Sequence, residues 1–241
     1  MTLLAAERIK LFSTRSPWWC IATALVLTIG FTSALALNTE AVPVGATQAG
    51  HQFGLMVVMV LAALSVTTEY RFGTIRATFQ AVPNRTAALL AKTVVVAVVA
   101  LLIGEACAFG SLGAAAVLAP QSNLALDSAD AWRHVAGVGL VFALTAVLAV
   151  AVGTLLRQTA GAVTLLLLWS LLVENLVQLI PRIGGDLHQW MPFTMADNFL
   201  GADSAFPRDV PLGPWGSLGY FAGVAVVLLA IAVAVANRRD A

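Results

Sequence analysis

Charge is scarce in this sequence. Only 10% of its 241 residues are Asp, Glu, Lys or Arg. Soluble domains carry about a quarter, so an ordinary water-soluble core is excluded. A formal net charge of +1 leaves no clustered positive surface for a phosphate backbone, and no nucleic-acid partner is expected. The lysines are two, Lys10 and Lys92, and neither follows a glycine. The G-x-x-x-x-G-K-S/T loop that cradles nucleotide phosphates is therefore absent, and the chain is not expected to be an ATPase or to carry a cofactor of its own. Cysteine is nearly missing too. Cys20 and Cys107 sit in apolar runs at different depths, which argues against a disulfide. The three histidines, His51, His134 and His188, lie at or beyond the outer ends of apolar runs without H-x-x-x-H spacing, so neither a metal centre nor an intramembrane protease is expected.

What the sequence does have is apolar length: 60% of residues are hydrophobic, and the mean hydropathy is +0.90. The reading is an all-α polytopic membrane protein, one transmembrane domain over residues 1–241. Its six spans are Pro17–Leu37, His51–Thr68, Thr93–Leu118, His134–Leu156, Gly161–Ile180 and Trp215–Ala236. Each has enough residues to cross a hydrocarbon core of about 30 Å at about 1.5 Å per residue. The first run exceeds the roughly 7 to 15 residues of a secretory core, so it is read as a retained span despite the small-residue triplet Ala34-Leu35-Ala36. Before it, residues 3–15 form an amphipathic interface helix, with Ala5, Ile9 and Phe12 on one side and Glu7, Lys10 and Thr14 on the other. Ser16-Pro17 reads as a capped helix start.

Basic residues set the orientation. Arg8, Lys10, Arg15, Arg71, Arg76, Arg85, Lys92, Arg157, Arg238 and Arg239 fall on the side of both termini, and only Arg133, Arg182 and Arg208 on the other. The positive-inside rule then places both termini in the cytosol of a bacterial inner (plasma) membrane.

The segment between the second and third spans carries the strongest local pattern. Phe72, Ile75, Phe79 and Val82 recur at spacings of three and four, which makes one helical stripe, while Arg71, Arg76 and Gln80 fall elsewhere and Pro83 ends the run. The string Glu69-Tyr70-Arg71-Phe72-Gly73-Thr74, followed by Pro83, Arg85 and Lys92, resembles the signature of type-2 class ATP-binding-cassette (ABC) exporter permeases. The resemblance extends to the interface helix, the six spans and the enlarged last outer loop.

The resemblance implies that residues 69–82 form a coupling helix docked on a separate ABC ATP-binding subunit, present in two copies, with ATP and Mg bound there. Glu69, Arg71, Phe72, Gly73, Thr74, Ile75, Arg76, Phe79 and Val82 would make the coupling surface. It also implies pairing with a second permease copy, in a homodimer or a heterodimer. In physical terms the apolar stripe would fill a groove on the partner, the arginines would meet acidic groups at its rim, and Gly73 would allow close backbone approach. A helix lying on the lipid surface is the competing reading.

Two carboxylates fall inside spans, Glu105 and Glu174, and an ionised group there costs at least about 3 kcal/mol unless it faces protein or water. With Asn175 and Gln178 they are candidates for a substrate path; alternatively, Glu174 pairs locally through Gln178 with Arg182. Gly50/Gly54 and Gly219/Gly223 are GxxxG pairs, read as ordinary helix packing. In the segment 181–214, Trp190, Phe193 and Phe199 are candidate anchors of an external lid at the outer interface. The expectation is a permease that exports a hydrophobic or amphipathic molecule. The alternatives are a proton-coupled secondary transporter using Glu105 and Glu174, and a non-transporting membrane scaffold.

Overall fold

A computed structural model describes residues 3–82, 84–201 and 211–238. Pro83, Arg208 and Arg239, used in the reading above, lie outside them. The elements are α1 (Leu3–Phe12), α2 (Ser16–Leu37), a 3-10 turn (Gly45–Gln48), α3 (His51–Arg71), α4 (Thr74–Ala81), α5 (Arg85–Leu118) and α6 (Ala129–Leu156). There follow α7 (Thr159–Leu168), a π-helical turn (Trp169–Val173), α8 (Glu174–Val177), α9 (Gly184–His188), α10 (Pro192–Leu200) and α11 (Pro214–Arg238). No strand occurs among the described residues.

Six segments are long and apolar enough to cross a membrane: Ser16–Leu37, Gly45–Arg71, Arg85–Leu118, Ala129–Leu156, Thr159–Val177 and Pro214–Arg238. Among the described residues the protein is all-helical, and its six apolar helices are compatible with a multi-pass membrane protein. The third span starts earlier than hydropathy suggests. Asn84 accepts a hydrogen bond from the Ala87 amide at 3.1 Å, which caps α5 and carries the helix through Thr86 and Lys92 without a break. At the start of α2 the expected serine cap does not form. Arg15 holds the cap position without a side-chain bond, and Pro17 alone marks the helix entry.

Ala129–Leu156 is the central span: 67% of its most apolar window is buried, against 17% for Thr159–Val177. α5 and α6 cross where a Cβ on Gly104 would stand 2.8 Å from the Gly139 Cα and 2.9 Å from the Phe142 ring. Only glycine fits there, and the close approach encloses Phe142 completely. Of the two GxxxG pairs, Gly50 and Gly54 do pack against Thr28 of α2, whereas Gly219 and Gly223 face open space, so only the first is a seam within the chain.

The two ends of the bundle differ. One end gathers α1, α4, the α6–α7 connection and the last turn of α11, where Arg85 Nη1 donates to the Ala236 carbonyl at 3.3 Å and Asn237 Nδ2 to Thr86 Oγ1 at 2.9 Å. Both ends of the described chain lie on this terminal face. The opposite end carries the 3-10 turn, α9 and α10.

Candidate functional site

The terminal face is organised by four charges that the sequence scatters over 85 residues. Lys92, on α5, is buried, and its Nζ donates to Glu7 Oε2 at 2.6 Å and to Glu69 Oε1 at 2.9 Å. Lys10 Nζ completes the square, at 2.7 Å from Glu7 Oε1 and 3.4 Å from Glu69 Oε1, and it also donates to Thr78 Oγ1 at 3.0 Å. Thr78 belongs to α4. The cluster thus binds four elements at once: α1, the end of α3, α4 and the start of α5. Two positive and two negative groups leave it neutral, which is how two carboxylates and a lysine tolerate burial. Burial alone would raise the Glu7 carboxyl, but Lys92 and Lys10 outweigh it and hold the group below its ordinary range. For Lys10, burial pulls downward, and the Glu7 and Glu69 carboxylates more than offset it, so the ammonium is held above its usual value.

This explains why α1 sits the other way from its sequence pattern. Glu7 is buried and Ile9 is 51% exposed, so the charged side packs on the protein and the apolar side faces outward. An amphipathic split on paper does not say which side meets protein; Lys92 and Glu69, waiting for partners, decide it.

α4 does form as a separate helix. Gly73 precedes it with φ of 71°, a left-handed turn that lets the chain leave α3 and restart within two residues. A Cβ there would meet nothing within 4 Å, so the turn, rather than close approach, is what requires glycine in this chain. The proposed stripe divides. Ile75 is buried in the chain's own packing, Phe79 lies half-buried under the Arg85 guanidinium at 5.3 Å, and Val82 is half-buried. Phe72, in contrast, is 71% exposed, with Arg71 at 5.5 Å over its ring. Arg76, Gln80 and Thr74 are exposed as well. The outward surface of this element is therefore Arg71, Phe72, Arg76 and Gln80.

The α6–α7 connection meets the root of α4. Arg157 adopts φ of 55° and stands 5.0 Å over the Tyr70 ring, and Thr159 Oγ1 donates to Thr67 Oγ1 at 3.0 Å.

At the opposite end, Glu174 has a structural task. Its buried carboxylate accepts the Phe193 and Thr194 amides at 3.0 and 2.9 Å, the Thr194 hydroxyl at 3.2 Å and the Trp169 indole N–H at 3.1 Å. Those amides are the free donors of the first turn of α10, whose own cap residue, Met191, supplies no side-chain acceptor. Glu174 caps that helix from another element, with the helix dipole favouring its charge. The π turn makes this possible, because it brings residues five apart, Trp169 and Glu174, onto one side. The local pairing expected for Glu174 does not form: no hydrogen bond or ion pair links it to Gln178 or Arg182 among the described residues.

A cavity of about 160 Å³ lies beside it, lined in part by Asn175, Gln52, His188 and Asp197, and Asp197 also meets His51 at 3.4 Å. Gln178 and Glu105 do not line that cavity. Glu105 instead lies over the backbone of Gly139 at the α5–α6 crossing. The external aromatic residues also differ from expectation. Phe193 and Phe199 are buried against Phe221 and Trp215 at 5.7 and 5.2 Å, while Trp190 remains 41% exposed. α10 is thus held by the protein core rather than by the membrane interface. Among the described residues no group of three His, Cys, Asp or Glu side chains is placed to hold a metal ion.

No protein-family model and no curated protein matches this chain.

Proposed function

We propose that this chain is the membrane-spanning permease subunit of an ABC-type exporter in a bacterial inner membrane, with its terminal face in the cytosol. The carrying observation is the tie between α4 and the spans: Lys10 joins Thr78 of α4 to Glu69 and Glu7, and Lys92 joins both carboxylates to α5. A short helix so fastened passes a push on to α3, α5 and α1 together, as coupling to an external motor requires. The motor is a separate ABC ATP-binding subunit, in two copies, holding ATP and Mg. Arg71, Phe72 and Arg76 form the docking surface, with Phe72 as its apolar anchor. A second permease copy completes the path, and the apolar spans suit a hydrophobic or amphipathic cargo such as a drug, lipid or peptide antibiotic. Catalysis belongs to the partner.

The test is co-purification. Phe72→Ala should lose the ATPase subunit while the chain itself stays folded, and Gln80→Ala should keep it. Transport by the purified chain in liposomes without any nucleotide-hydrolysing partner would overturn the proposal.

One observation favours a second reading, a proton-coupled carrier. Glu105 lies over the Gly139 backbone and makes no hydrogen bond among the described residues, which leaves its carboxyl open to proton exchange. Glu174 does not support it, since four donors already occupy its oxygens. Export that follows ATP rather than the proton gradient in Glu105→Gln protein excludes this reading.

A further inference from the structure

A cavity of about 810 Å³ opens between α1, α3, α4 and α5, within the 300 to 1,000 Å³ typical of small-ligand sites. Its lining changes character along its length. The deep end is apolar, made by Leu61, Leu64, Val95 and Val96. Leu61 is ten residues below Arg71, the end of α3, so this end lies about 15 Å into the span, beyond the reach of a soluble partner.

The shallow end is polar, and its polarity has one sense. The hydroxyls of Ser13, Ser65, Thr68 and Thr78 already donate to the carbonyls of Lys10, Ala62, Leu64 and Thr74 at 2.8, 2.7, 2.6 and 3.2 Å. Lys10 Nζ has its three hydrogens directed at Glu7, Glu69 and Thr78. Glu69, also in the lining, has a buried oxygen, Oε2, with no hydrogen-bond partner among the described residues. The polar end therefore offers acceptors and few donors. A molecule that fits supplies donors at one end and a hydrocarbon tail at the other.

We infer that this groove binds an ethanolamine phospholipid from the adjacent leaflet. Its ammonium, with three N–H donors, meets the hydroxyl oxygens and the Glu69 carboxylate. One acyl chain lies along Leu61, Leu64, Val95 and Val96, and the phosphate stays at the open mouth of the groove, because the three Lys10 hydrogens are already taken. A phosphatidylglycerol has no ammonium and adds a net negative charge beside two carboxylates, so it fits poorly. The inference needs only a membrane protein and does not rest on an ATPase partner.

The test uses the full chain in nanodiscs containing phosphatidylethanolamine with a photoreactive group on its acyl chain. Labelling should concentrate on 61–65 and 91–96. Native mass spectrometry should show retention of phosphatidylethanolamine over phosphatidylglycerol by about tenfold, the effect of one charge-assisted hydrogen bond. Ser65→Phe, which fills the groove, should abolish both signals, and Leu102→Phe, on a face 61% exposed and outside the groove, should leave them. Thr68→Val offers a milder variant that should reduce the headgroup preference without blocking the tail. Equal retention of the two lipids, labelling spread evenly over outward-facing residues, or cross-linking of the groove to a second copy of the chain in place of lipid would each overturn the inference.

Discussion

Lys92 on α5 and Glu7 on α1 lie 85 residues apart in sequence and 2.6 Å apart in space, both almost fully enclosed. Glu69 shares the same ammonium at 2.9 Å. One lysine thus stands between two carboxylates that would otherwise face each other across a poorly hydrated gap.

Replacing that lysine by methionine should cost about 3 kcal/mol, because it leaves two enclosed carboxylates to share the single, more exposed ammonium of Lys10. Adding Glu7→Gln and Glu69→Gln should restore much of the loss. Thermal unfolding in detergent measures both. Strict additivity of the three changes would show that the charges are not coupled.

The same cluster sets a pH window. Glu7 is held below its ordinary 4.5, so its contribution is present above that value and disappears as pH falls through the lowered one. Lys10 is held above its ordinary 10.5, so its contribution is present below that value and disappears as pH rises through the raised one. Protease protection of α1 should therefore stay flat from about pH 5 to pH 10 and fall only at more acidic or more alkaline pH. Release of α1 near neutrality would contradict the assignment.

Glu174→Ala should free α10. Two amides and an indole N–H lose their acceptor, at about 1 to 3 kcal/mol for each buried group. Hydrogen exchange over 192–200 should quicken, and Glu174→Gln, which keeps one carbonyl oxygen, should fall between. Unchanged exchange in the alanine variant would mean that Phe193 and Phe199 hold the helix unaided.

Gly104→Ala should destabilise the bundle, since the new carbon would press on the Gly139 backbone at 2.8 Å. Gly223→Ala, which meets nothing within 4 Å, should be neutral or stabilising by up to about 1 kcal/mol through reduced backbone freedom of the unfolded chain. The pair of melting curves separates a packing glycine from one that merely looks alike in sequence.

Hydropathy located all six spans because each is set by a local quantity, the length of an apolar run. What it missed is relational. Ile75 and Phe79 share a stripe with Phe72, yet the first two are claimed by the chain's own packing and the third is not, a distinction that depends on where α1 and α5 lie. The sequence suggested Gln178 and Arg182 as partners of Glu174 because its actual partners, the amides of Phe193 and Thr194, are backbone atoms that no residue letter advertises. The π turn that aims it has no composition signal either, being an apolar run like its neighbours. Lys92 and Glu69 stood in one recognisable string, but their joining to Glu7 needed the fold.

α5 is a single unbroken helix of 34 residues, about 51 Å from end to end. Gly104, where it crosses α6 most tightly, divides it into arms of about 29 and 21 Å. A rigid beam resting on such a fulcrum behaves as a see-saw. A tilt of about 5° would carry the Arg85 end and the Leu118 end in opposite directions by roughly 2 to 3 Å each, so narrowing at one surface of the bilayer would accompany widening at the other without bending a single hydrogen bond in between.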